Sequence, residues 1–252
     1  MYSDILMKTP EERIQFIFQS QNDATDVRLV KVGYLLENDP SPIVRHEAAY
    51  VLGEVNSEVS SKFLLHAIQN DPNRFVVHES ALALGNLGDI SFLDDLTKLL
   101  EHPDHDVVLT AEIAIERLKM KSNGISISNP KKVMIDLSAH PEHRIQAAFQ
   151  LLGDGSLESI SCLITALHQE TNPIVKHEII FSLGETSSKI SSDALIAALG
   201  TDVNHFVIHE SLLAISTLSF PDAQTSIQKY LSHEVDEVRE SAEIALQRLE
   251  GV

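Results

Sequence analysis

Apolar residues recur along this chain at helical spacing, in short blocks that each stop at Pro, Gly, Asp or Asn. Residues 11–21, EERIQFIFQSQ, make the first block, with Pro10 near its first turn. Residues 26–37 make the second, with Val27, Val30, Leu35 and Leu36 apolar. Asp39-Pro40-Ser41-Pro42 breaks the pattern; RHEAAYVLGEV then predicts a third helix and residues 60–70 a fourth. Asp71-Pro72-Asn73 breaks it again before HESALALGNLG, and further helices are expected over 91–102 and 106–120.

The stretch 121–131, KSNGISISNPK, is polar, and after it the pattern restarts. Arg13-Ile14-Gln15 returns as Arg144-Ile145-Gln146, and AEIAIERL at 111–118 returns as AEIALQRL at 242–249, with one and the same shift in numbering. This is an internal duplication with no net insertion between those anchors. Within each half there is a finer repeat, one helical hairpin long. In the first half its breaks, at Asp39-Pro40, Asp71-Pro72 and His102-Pro103, come at nearly equal intervals. Such hairpins cannot bury their apolar faces alone and must stack. The expected fold is all-α: a HEAT-like α-α repeat solenoid of two pseudo-symmetric halves, 1–120 and 132–252, with 121–131 as linker. Two curved halves joined this way can face each other across a pseudo-twofold axis.

Composition agrees with helices packed through small and aliphatic side chains, since aromatics are 5% and Trp is absent. Ten glycines and nine prolines are too few for a β-rich fold with many tight turns. A net charge of −18 argues against nucleic acid and anionic membranes; it serves solubility first, and its sharper reading is a field that attracts a basic partner. Cys162 is the only cysteine, so neither an intramolecular disulfide nor a thiolate metal cluster can form; a place in a helix core is expected for it. Met1–Pro10 lacks the pattern of a signal peptide and no apolar stretch approaches a membrane span, so a cytoplasmic protein is expected.

The chemistry lies in four His-Glu pairs: His46-Glu47, His78-Glu79, His177-Glu178 and His209-Glu210. The step from His46 to His78 equals that from His177 to His209, and the step from His46 to His177 equals that from His78 to His209. A dipeptide kept for packing would recur in every repeat. Instead the flanking repeats carry Arg13-Ile14, Leu109-Thr110, Arg144-Ile145 and Glu240-Ser241 at the corresponding places. Neighbouring helices of a stack lie about 10 Å apart, so His from one and His plus Glu from the next can meet at one ion. Imidazole and carboxylate without thiolate suit iron, manganese or zinc, and exclude an iron–sulfur cluster. Tyr50, Leu82, Phe181 and Leu213 stand four residues after the histidines, so this is no HExxH site.

Four His-Glu pairs in two halves of a HEAT-type solenoid resemble the deoxyhypusine hydroxylase family. The supporting segments are VRHEAAYVLGEV at 44–55, NPIVKHEIIFSLGE at 172–185 and VRESAEIAL at 238–246, and the resemblance runs from about residue 11 to 250. It implies a non-haem monooxygenase with two Fe ions that uses O2 to hydroxylate deoxyhypusine on one lysine of the eukaryotic-type translation factor 5A. By position, it makes His46, His78, Glu79, His177, His209 and Glu210 the iron ligands. It places Glu47 and Glu178 against the amine-rich substrate chain.

Several positions depart from the family pattern. Ser216 stands where the second motif has Gly85, and Val77 and Ile208 precede histidines that commonly follow a basic residue. Ile179-Ile180-Phe181 replaces a small residue and Tyr, and Leu82 and Leu213 replace a commonly acidic position. A greasier pocket is expected, with another lysine-derived side chain as a variant substrate. The alternatives are a non-catalytic acidic HEAT scaffold for a basic protein, and a HEAT-like bilin lyase. His233-Glu234 is expected at the surface, and Asp71, Asn73, Asn172 and Asn204 as helix caps; His205, near His209 in the sequence, could support a ligand but lacks a matching carboxylate pattern.

Overall fold

Proline reads as a break in the pattern, yet its missing N–H costs nothing in the first turn of a helix. In the computed structural model, which describes residues 3–21 and 25–251, Pro10, Pro42, Pro130, Pro141 and Pro173 each open a helix. The chain divides into two compact units, Met1–Ser126 and Ile127–Val252. Every α-helix or 3₁₀ turn falls within one of them, and no strand occurs among the described residues.

Unit 1 holds α1 (Ser3–Leu6), α2 (Pro10–Gln19), α3 (Asp26–Asn38), α4 (Pro42–Glu54), α5 (Glu58–Asn70), α6 (Arg74–Leu87), α7 (Leu93–Lys98) and α8 (His105–Ser122). Unit 2 holds α9 (Pro130–Met134), α10 (Pro141–Asp154), α11 (Leu157–Gln169), α12 (Pro173–Gly184), α13 (Lys189–Leu199), α14 (His205–Leu218), α15 (Ala223–Gln228) and α16 (Asp236–Glu250). The helix expected over 91–102 is α7 with a 3₁₀ turn at each end, Ile90–Phe92 and Leu99–Glu101, because apolar spacing alone does not separate α from 3₁₀ turns. The stretch 121–131 contains the end of α8 and the start of α9. No helix among the described residues is long and apolar enough to cross a membrane.

The second helix of each hairpin packs on the second helix of the next: α4 on α6 and α6 on α8, then α12 on α14 and α14 on α16. One device, used four times, sets where these helices begin. Asp39, Asp71, Glu170 and Asp202 take a cation from the preceding hairpin: Arg13, Arg45, Arg144 and Lys176. Each acid also accepts the backbone N–H two residues on. There Ser41, Asn73, Asn172 and Asn204 cap α4, α6, α12 and α14. Asp71, expected as a cap, is the C-cap of α5 and also holds Arg45. The cations before His46 and His177 therefore serve the turn. Val77 and Ile208, at the same place before their histidines, are simply buried.

Glycine lets these helices come close. A Cβ on Gly53 of α4 would stand 2.6 Å from the Cβ and 2.8 Å from the Cα of Ala83 on α6. Gly184 meets Ala214 in the same way, and Gly85 meets Ala114. Ser216, at the fourth such place, turns its hydroxyl back to Leu213 O at 2.7 Å. Gly53→Ala should therefore destabilise. Overpacking costs about 1–3 kcal/mol, against a helix-propensity gain of about 1 kcal/mol. A urea midpoint unchanged or raised in the variant would refute this packing argument.

Cys162 lies half-buried on α11 rather than in the core, its Sγ 3.7 Å from Lys131 O. Partial burial beside α9 pushes its thiol pKa up, with the Lys131 ammonium opposing.

Candidate metal centre

Each His-Glu pair occupies the same place on its helix. His46, His78, His177 and His209 are each the fifth residue of α4, α6, α12 and α14, one turn in from the cap. Two neighbouring helices with the same start therefore bring their histidines level. In unit 1 the rings of His46 and His78 lie nearly parallel, 10° apart, with centroids 6.3 Å apart. In unit 2 His177 and His209 repeat this at 20° and 6.3 Å.

A carboxylate closes each pair of rings. His46 Nε2 is 3.5 Å and His78 Nε2 is 4.0 Å from Glu79 Oε2. His177 Nε2 is 3.5 Å from Glu210 Oε2, and donor atoms of His177, His209 and Glu210 all lie within 4.8 Å of one another. All six side chains are buried. Glu47 and Glu178 are buried too, and each faces the other ring nitrogen of its own neighbour. Glu178 Oε1 is 3.2 Å from His177 Nδ1, and Glu47 Oε1 is 3.6 Å from His46 Nδ1.

The second histidine of each unit is held differently. His78 Nδ1 is 2.7 Å from Thr110 Oγ1 on α8, and His209 Nδ1 is 2.8 Å from Ser241 Oγ on α16. Ligand type alone does not point to these hydroxyls. The signal is present in the numbering, since 46, 78 and 110 are evenly spaced, and so are 177, 209 and 241.

The donors fit a first-row metal ion. Cis ligands at about 2.1 Å from such an ion stand about 3 Å from each other, so the observed separations need only small adjustment. An ionised carboxylate is costly to bury unless it is paired, hydrogen-bonded or bound to a metal, and an ion between these groups would offset that cost. Two imidazoles and one carboxylate leave coordination positions open, the pattern of oxygen-using non-haem iron sites. The sulfur of Cys162 is engaged elsewhere, beside Lys131.

The other residues singled out in the sequence lie apart from this arrangement. His205 opens α14 and packs edge-on to His233, 5.9 Å between centroids, rather than joining the ligands. His233 Nδ1 accepts the Val235 N–H, as His102 does that of Asp104. Glu234 beside it is exposed. Ile179, Ile180, Leu82 and Leu213 are buried core residues. Tyr50 and Phe181 take equivalent positions and each packs on an aromatic of the preceding hairpin, Phe18 and Phe149.

A family model described as HEAT repeats matches residues 30–116 and 132–216. The chain is 32% identical to deoxyhypusine hydroxylase of Saccharomyces cerevisiae over 238 residues, covering 83% of this chain and 73% of the yeast protein. The chain belongs to the deoxyhypusine hydroxylase family. The member from Dictyostelium discoideum is 26% identical over 180 residues, 62% of this chain and 57% of that one. The structure of human deoxyhypusine hydroxylase in complex with glycerol superposes with a TM-score of 0.84, over 100% of this chain and 96% of that chain, at 23% identity. Deoxyhypusine hydroxylases are enzymes, and the fold of the human member is the HEAT-repeat fold found here.

Proposed function

We propose that the chain is an O2-dependent di-iron monooxygenase that hydroxylates deoxyhypusine on a translation factor in the cytoplasm. The observation that carries this reading is the repetition: two buried sets of two His and one Glu, each with a 3.5 Å approach of Nε2 to Oε2. His46, His78 and Glu79 would hold one iron ion, and His177, His209 and Glu210 the other. The irons supply the activation of O2, with two electrons and two protons from an external donor turning O2 and one C–H bond into C–OH and water.

The rest is the work of the chain's own residues. Glu47 and Glu178 orient His46 and His177 and meet the ammonium groups of the substrate side chain. A carboxylate has about four lone-pair sites, so the contact to Nδ1 does not exhaust it. The net charge of −18 speeds encounter with a basic protein partner.

The test loads the protein with Fe(II) without oxygen, then adds reductant, air and a translation factor bearing deoxyhypusine. About two irons per chain, as the two ligand sets require, and a gain of one oxygen atom at the modified lysine are expected by mass spectrometry. A chain that stays iron-free would refute the reading. Tight binding of the factor without mass gain would favour the scaffold.

A further inference from the structure

We infer that Thr110 and Ser241 are positioning residues that set the tautomer and ring orientation of His78 and His209. The inference deepens the di-iron reading and rests on it for its metal consequences, though not for the tautomer itself. The argument is one of hydrogen-bond direction. A hydroxyl has one hydrogen to give. Thr110 Oγ1 gives it to Asp106 O, 2.8 Å away in the preceding turn of α8. Ser241 Oγ gives it to Glu237 O at 2.6 Å on α16.

Each oxygen can then only accept from the imidazole it touches, at 2.7 and 2.8 Å. Nδ1 of His78 and of His209 must therefore carry a proton. The neutral ring is left with its lone pair on Nε2, the nitrogen turned toward Glu79 in unit 1. Without that constraint either nitrogen could hold the proton, and the ring could rotate about its side-chain bonds.

Several observations set this apart from ordinary helix packing. Thr110, Ser241, His78 and His209 are all fully buried, so water does not compete for these bonds. Both units carry the arrangement, with Thr in one and Ser in the other, so the hydroxyl is the common group and the methyl is not. Both hydroxyls come from the helix after the last His-Glu helix, as the sixth residue of α8 and of α16, the place where the earlier repeats carry the glutamate of the pair. The end repeat of each unit thus gives no metal ligand but supports one. His46 and His177 have no such need, because Glu47 and Glu178 face their Nδ1 atoms.

Partners that fix the second nitrogen of a metal-bound imidazole typically contribute about 10–100-fold in metal affinity. The experiment has two arms. In the first, the metal-free protein labelled with 15N-histidine is read by NMR for imidazole tautomers. His78 and His209 should each show a protonated Nδ1, with a slowly exchanging proton. Thr110→Val should abolish that state for His78 alone and Ser241→Ala for His209 alone. Thr110→Ser and Ser241→Thr should restore both, which a loss of fold or of packing volume would not do.

In the second arm, Fe(II) binding is titrated without oxygen. Thr110→Val should weaken one of two sites about 10–100-fold, and the double variant both. A protonated Nε2 in the wild-type rings, or an Nδ1 proton that persists in Thr110→Val, would overturn the inference. Wild-type protein that shows the expected tautomers but binds no iron would overturn the di-iron reading and leave the positioning role standing.

Discussion

Glu79→Gln is expected to empty one metal site and abolish hydroxylation while the chain stays folded. The substitution keeps shape and volume, so α6 should pack as before. What it removes is the one carboxylate that closes the His46 and His78 rings, at 3.5 and 4.0 Å from their Nε2 atoms. A neutral amide oxygen is a weak ligand for a first-row ion and adds no negative charge to a buried site. Losing a partner one bond removed from a metal costs about 10–100-fold in affinity, so losing a ligand outright should exceed roughly 100-fold. Iron content should fall from about two ions per chain to about one, the number of complete ligand sets left. Glu210→Gln should give the same result, since unit 2 repeats the 3.5 Å approach. The contrast is Glu47→Gln, which should keep both irons and raise KM for the modified substrate. Elemental analysis beside a thermal melt decides the matter. Two irons retained in a folded Glu79→Gln protein would remove Glu79 from the ligand set.

The histidines and glutamates are legible in the sequence because a step of one hairpin along a stack returns a side chain to the same place on the next helix. Four chemically distinctive pairs on that step stand out against the packing residues. Thr110 and Ser241 lie one residue past that place on α8 and α16 and are ordinary helix residues by type, so only the direction of their hydrogen bonds reveals a role. Helix starts are less legible: Pro42 signals a break in the pattern while serving as the first residue of α4, ahead of RHEAAYVLGEV. Asp71 reads as a cap and closes α5, but its partner Arg45 lies on the preceding hairpin and nothing local announces that pairing. Free cysteine is on average a core residue, but the small helix α9 beside Cys162 leaves it half covered.

The long-range turn pairs carry the largest stability effect expected here, and Glu170→Ala is the sharpest case. Glu170 binds both Arg144 Nε at 2.7 Å and Arg144 Nη2 at 3.0 Å. It also accepts the backbone N–H of Thr171 at 2.9 Å and of Asn172 at 2.8 Å. Both side chains are almost wholly buried, at 5% and 1% exposure. The pair itself need not stabilise relative to an apolar one, but breaking it leaves a buried guanidinium and two amides without their acceptor. Removing one partner of a buried pair costs about 3–5 kcal/mol. At about 2–4 °C per kcal/mol for a chain of this size, Tm should fall by roughly 6–20 °C. Glu58→Ala is the control: its Lys62 pair is exposed at 83% and 72%, and such pairs in water contribute little. The site should feel the loss as well, because Asn172 caps α12 and His177 follows one turn later. Iron bound by unit 2 should therefore become weaker in Glu170→Ala while that of unit 1 does not. A melting point equal to that of Glu58→Ala would mean that the acid–cation device does not hold these turns, and that capping by Asn172 alone sets the start of α12.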